Sequence, residues 1–329
     1  MEEDRNRQMV YRHGIYTDLA DCTLCPRNCH ANRIEKPSGY CHTGAGIPVA
    51  SICIHRGEEP VISGKKGIIN LFFAGCNLRC VFCQNYEISF YGKPESLKYG
   101  LYGKQPEIRD WSVREVADTI AEQLDAGYHA VGFVSPSHVA PQAVAVIREL
   151  HNRGYHPVIV WNTNAYEKAE TIRMLDSLVD VYLPDFKYIT PSVARELSDA
   201  EDYPLYAAAT ISEMYRQRGN RLHLSEDGTV QRGLIIRHLV IPGFIEESKK
   251  VLRFIAENIS TGVYISLMSQ YYPTPFTRGP VSLQRTLYEE EYETIKEEMY
   301  RLGFRNGWIQ DIGSHFHYRP DFSREHPFE

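Results

Sequence analysis

The chain has 329 residues, with 36 Lys and Arg against 42 Asp and Glu, a net charge of −6 and 43% hydrophobic residues. An ordinary apolar fraction and a modest charge exclude a disordered chain, and mild acidity argues against a protein that wraps nucleic-acid phosphates. No apolar run approaches the roughly 18 residues that span a bilayer, and the charged start MEEDRNRQMV lacks the apolar centre of a signal peptide, so the chain reads as cytoplasmic with no membrane partner.

Residues 1–66 hold five of the 8 cysteines, scattered Gly and Pro, and little apolar periodicity. Such a segment cannot build its own core and is expected to fold around a metal or pack on the rest of the chain. From residue 68 the pattern changes to alternating strand and helix. Ile68–Ala74 reads as a buried strand, followed by a cysteine loop. Ser112-Val113-Arg114-Glu115 is a capping box that opens a helix ending at Gly127. Residues 130–134 read as the second strand, and Pro141 stands in the first turn of the next helix. Residues 158–161, 179–183, 234–241 and 263–267 read as further strands. Helices are expected at 166–178, after Thr190-Pro191, and at 205–218, 246–258 and 287–302, with a hairpin turn at Asp227-Gly228 and a short last strand at 308–310.

Six strand–helix units predict an α/β fold, a partial (β/α)6 TIM-like barrel of parallel strands, with its chemistry at the carboxyl ends of the strands. The expected layout is a cysteine-rich extension over 1–66, the barrel over 67–312 and a solvated tail over 313–329.

Cysteines occur at 22, 25, 29, 41, 53, 76, 80 and 83 and nowhere later. In a reducing compartment such clustering points to metal rather than disulfides. Cys76-Asn77-Leu78-Arg79-Cys80-Val81-Phe82-Cys83 places three thiolates on one loop after the first strand. Three soft ligands can hold three irons of a cubane and leave the fourth open. The competing reading is a structural zinc site with a distant fourth ligand, although structural zinc more often uses C-x2-C pairs.

This loop, with Phe82 before its third cysteine and a strand in front, resembles the radical S-adenosylmethionine (SAM) superfamily. The run GCNLRCVFCQN is similar to the branch of pyruvate formate-lyase activating enzymes and their uncharacterised relatives. The resemblance implies a [4Fe–4S] cluster on Cys76, Cys80 and Cys83, SAM on the open iron, and Phe82 against the adenine. It also implies an electron donor such as flavodoxin or ferredoxin, and reductive cleavage of SAM to a 5′-deoxyadenosyl radical that abstracts hydrogen. Within this branch the expected reaction is activation of a glycyl-radical enzyme, with a protein or peptide as substrate. Radical modification of a peptide or a small metabolite is the alternative, and a non-catalytic iron–sulfur electron carrier is the rival from another class.

The remaining strand ends supply the other candidates. Ser135 and Ser137 stand where many members carry a Gly-Gly-Glu-like segment for the SAM amino group, and His138 beside them is a candidate acid or base. Asn162 and Asn164 follow the next strand as SAM or substrate contacts. Asp185-Phe186-Lys187 resembles an Asp-x-Lys pattern of the activating enzymes, in which the lysine meets the SAM carboxylate. Arg237 resembles part of the same pattern. Gln270 and Tyr271 are expected in the substrate cavity, and Glu58 or Glu59 near it. Cys22, Cys25, Cys29 and Cys41 offer a second site, for zinc or an auxiliary cluster, with no ligand-by-ligand transfer from the family. Cys53 reads as a small buried residue.

Overall fold

The computed structural model describes residues 19–92, 108–316, 318–324 and 326–328. The sheet starts earlier than the sequence suggested. β1 (Ile47–His55) lies inside the segment read as irregular and pairs antiparallel with β2 (Ile68–Phe73), from Val49 opposite Phe73 to His55 opposite Ile68. Short β3 (Arg109–Trp111) pairs antiparallel with the other side of β1.

Beyond β2 the order is β4 (Ala130–Val134), β5 (Val158–Thr163), β6 (Val181–Pro184), β8 (Val230–Leu239), β9 (Tyr264–Met268) and β10 (Gly307–Ile309), all parallel. The order has two ends, so the barrel stays open. β7 (His223–Leu224) forms a small antiparallel hairpin with β8 across Asp227-Gly228. β2 and β4 are buried at every position, which is why they read as continuous apolar runs rather than alternating ones.

The helices are α1 (Pro60–Ser63), α2 (Tyr86–Ser89), α3 (Val113–Asp125), α4 (Ala140–Asn152), α5 (Ala169–Met174), α6 (Pro191–Ser198), α7 (Tyr203–Arg218), α8 (Ile245–Asn258) and α9 (Glu289–Arg301). The capping box at α3 forms in both directions: Ser112 Oγ accepts from Glu115 N at 3.2 Å, and Glu115 Oε2 accepts from Ser112 N at 2.7 Å. α5 is shorter than expected because Ala165 turns the chain at φ 62°, and Glu167 turns inward to accept from Trp161 Nε1 and Thr163 Oγ1. In the first turn of α9, Glu291 accepts from Gly243 N, Tyr288 N and Arg285. No helix among the described residues is long and apolar enough to cross a membrane.

The carboxyl-terminal segment is not a solvated tail. Phe322 is 4% exposed and meets Phe72 of β2 edge-on at 5.3 Å. Its amide donates to Glu87 at 2.9 Å, and Phe328 packs on His55. Aromatic burial outweighs the charge of this segment.

Candidate active site

The loop after β2 is pinned from two sides. Arg79 and Val81 donate their amides to the carbonyls of Ser198 and Leu197 at the end of α6, at 3.2 and 2.9 Å. Asn77 Nδ2 donates to the Tyr166 carbonyl at 2.7 Å. Each thiol also meets a polar side chain from another part of the chain. Asn164 Nδ2 lies 3.6 Å from Cys76 Sγ, Ser198 Oγ donates to Cys80 Sγ at 3.0 Å, and Ser89 Oγ is 3.2 Å from Cys83 Sγ. Burial pushes the Cys83 thiol up to about 12, with the Cys80 charge adding to the effect, and burial also raises Cys80. Such thiols ionise when a cationic centre replaces the lost hydration.

All three thiols line one cavity of about 260 Å³ at the carboxyl ends of the parallel strands. Phe82, Ser135, Asn162, Asn164, Asp185, Lys187 and Arg237 line it too, so these expected residues do come together. Lys187 Nζ sits 2.5 Å from Asp185 Oδ2. The turn carrying this pair is held by Tyr203, whose hydroxyl accepts from Lys187 N and donates to the Asp185 carbonyl. Arg237 forks onto two carboxylates, Glu59 at 2.7 and 2.8 Å and Glu58 at a shorter contact. Glu58 in turn accepts from Asn70 Nδ2 at 2.8 Å.

Other expectations fail on geometry. His138 is 1% exposed and lies outside the cavity wall: Nε2 pairs with the Ala74 carbonyl at 2.8 Å, so the ring braces the loop rather than facing substrate. Ser137 is 3% exposed and points to Thr163 Oγ1 at 3.2 Å. Ser135 alone of that turn reaches the cavity, from a left-handed conformation at φ 53°. Tyr271 is buried behind Phe82, with its hydroxyl on the Leu283 carbonyl.

Of a row of amides in the cavity, sequence reasoning placed Gln270 and missed Gln84 and Gln310. Gln84, Gln270 and Gln310 line the cavity and bond in series, Gln270 Nε2 to Gln84 Oε1 and Gln310 Nε2 to Gln270 Oε1, each at 2.7 Å. Single glutamines far apart in sequence carry no motif. Tyr318, Pro320 and Phe328 of the docked terminus complete the wall, with Trp308 of β10.

No three His, Cys, Asp or Glu side chains among the described residues converge on a single-ion position. The donor set of the loop nevertheless suits a cubane, whose corners hold their ligands apart: three soft thiols on one wall, and a cavity in front of them.

An open parallel barrel with three thiols on the loop after its first parallel strand defines the scaffold of radical SAM proteins. The profile of the Radical SAM superfamily matches residues 70–268, and the chain belongs to this superfamily. It is therefore a radical SAM enzyme, and membership implies a [4Fe–4S] cluster and SAM. Uncharacterized protein MJ0674 of Methanocaldococcus jannaschii is 29% identical over 285 residues, covering 86% of this chain and 75% of that one. A domain of pyruvate-formate lyase-activating enzyme from Bacteroides vulgatus superposes with a TM-score of 0.36 at 15% identity, over 50% of this chain and 89% of that one. Streptococcus suis SuiB bound to S-adenosylmethionine superposes at 0.42 with 12% identity, over 72% of this chain and 48% of SuiB, so the chain spans about half of SuiB's length.

Proposed function

We propose that this enzyme cleaves SAM reductively and directs the resulting radical at a protein or peptide, in an activase-like hydrogen abstraction. One observation carries the reading: three thiols, the Lys187–Asp185 pair and a row of side-chain amides share a single cavity. When bound, the cluster supplies the electron that opens the sulfonium S–C5′ bond of SAM. Cys76, Cys80 and Cys83 would hold it. Lys187 offers a cation to the SAM carboxylate, and Asp185 fixes the ammonium and offers an acceptor to the SAM amino group. Phe82 gives the adenine an apolar face. Ser135, Asn162 and Asn164 supply hydrogen bonds on the same wall.

The amides of Gln84, Gln270 and Gln310 support a peptide rather than an apolar metabolite, because an amide both donates and accepts as a peptide backbone does. Arg237, held by Glu58 and Glu59, is a fixed polar group on the substrate side. A one-electron donor of the flavodoxin or ferredoxin type completes the reaction.

The test is anaerobic loading with iron and sulfide, then reductant and SAM. The expected product is 5′-deoxyadenosine, with label transferred into it from a deuterated protein or peptide. A cluster inert toward SAM would support an electron carrier instead. Label arriving only from small metabolites would overturn the protein reading.

A further inference from the structure

Of the five thiols outside the cavity, four stand ahead of β1. Cys22 and Cys41 are buried, Cys25 is half-buried and Cys29 exposed. The chain doubles back between them, with Cys22 N on the Ala31 carbonyl at 3.1 Å and His30 N on the Cys22 carbonyl at 3.0 Å. Cys29 Sγ lies 4.0 Å from the Cys22 carbonyl, and Cys41 Sγ lies 3.0 Å from the hydroxyl of Thr43, beside the same arginine that Cys22 touches.

Among them lies Arg33, only 1% exposed. Its guanidinium donates to the carbonyls of Thr43 at 3.1 Å, Gly44 at 3.0 Å and His138 at 2.9 Å, and to Cys22 Sγ at 3.6 Å. Its direct partners are carbonyls and a sulfur; among the described residues no carboxylate makes an ion pair with it, and the Asp110 carboxylate that feels its charge lies on the exposed edge strand β3. A cation taken fully out of water needs an anion nearby. Neutral thiols are not one. Four thiolates around a zinc ion or an oxidised iron–sulfur core carry a net negative charge and are.

We propose that Cys22, Cys25, Cys29 and Cys41 ligate a second metal centre, an anionic tetrathiolate site, with Arg33 as its buried counter-ion. These donors do not converge on one point among the described residues, nor do the three of the radical loop; ligation draws them in. The site also buttresses that loop. Arg27 Nε donates to the Asn77 carbonyl at 2.9 Å, and the Tyr40 ring lies between Arg27 and Arg79, at 3.7 and 4.0 Å. Gly75, at φ 79°, sits so close that an added Cβ would stand 2.5 Å from the Cys41 carbonyl. Arg33 reaches the same loop through the His138 carbonyl, and the His138 ring through the Ala74 carbonyl.

The proposal stands apart from the radical reading, so its test removes the radical ligands. The full-length Cys76→Ala/Cys80→Ala/Cys83→Ala variant is loaded with zinc in one arm and anaerobically with iron and sulfide in the other. About one zinc, or about four irons, should remain after gel filtration. Adding Cys22→Ser and Cys25→Ser should reduce this to background. Arg33→Met should weaken retention at least tenfold in chelator competition, and Arg33→Lys should restore most of it. Alkylation of the native wild-type chain needs no variant: metal should protect Cys22, Cys25 and Cys41 in mass-mapped peptides. Absence of metal in both arms, or thiols alkylated as fast with metal as without, overturns the site. Equal retention in Arg33→Met overturns the counter-ion role.

Discussion

The Arg237 guanidinium donates to the Glu58 carboxylate across the cavity, tying β8 to the turn that leads into β2. Burial alone would raise the Glu58 carboxyl. The charges of Arg237 and His55, with hydrogen bonds from Arg237 and Asn70, outweigh it and bring the group from 4.5 down to about 2. A depressed carboxylate stabilises the fold above its unfolded value and loses that contribution as the pH falls toward its folded one. Glu58→Gln is therefore expected to cost about 3 kcal/mol at neutral pH, since it breaks a buried pair. The gap between variant and wild type should narrow as pH drops from 4.5 toward about 2. Denaturant unfolding at a series of pH values measures it, and a gap independent of pH would refute the linkage.

Lys187 is expected to govern SAM affinity. Lys187→Ala should raise the SAM dissociation constant about tenfold or more, the equivalent of roughly 1.4 kcal/mol. Anaerobic calorimetry on the cluster-loaded enzyme reads this directly. Unchanged affinity would leave the Asp185–Lys187 pair a structural role only.

Hydrogen bonds to cluster sulfurs raise reduction potentials by stabilising the added charge. Ser198→Ala removes the hydroxyl that donates to Cys80 Sγ. The cluster of this variant should titrate at a more negative potential in an EPR-monitored redox titration, with its iron content unchanged. A potential equal to or above that of wild type would contradict the expectation.

Gly132 of β4 makes room for Asn70. An added Cβ would lie 2.1 Å from Asn70 Oδ1, and Asn70 is one of the side chains that hold Glu58. Gly132→Ala should destabilise by about 2 kcal/mol through overpacking. Adding Asn70→Ala should recover part of that loss, because the clash goes with the side chain. Thermal unfolding of the single and double variants decides between a specific clash and general strand damage.

Phe322→Ala should release the terminal segment from β2. The expected cost is about 3 kcal/mol for the docked segment, from the lost aromatic burial. Limited proteolysis should then cut after residue 318 faster than in wild type, while the barrel stays intact. A cutting rate unchanged by the substitution would show that other contacts hold the segment.

The barrel was legible because its strands are apolar at consecutive positions, and the radical loop because its donors are sequential. β1 was not. Pro48 and Ser51 break its pattern, and its cysteine-rich surroundings masked a strand that pairs antiparallel. Lys187, Asp185 and Arg237 could be placed from their strand ends. His138 and Ser137 sit on an equivalent end and turned inward, because a 3-10 turn over Pro136–His138 aims them at Ala74 and Thr163. The glutamine row is a product of tertiary assembly alone, joining three separate segments.

Both borders of the sheet, β3 and β10, are only three residues long. Fringes so brief give a foreign strand few free amides and carbonyls to zip onto. The fold can thus leave its barrel unclosed without offering a template for self-association.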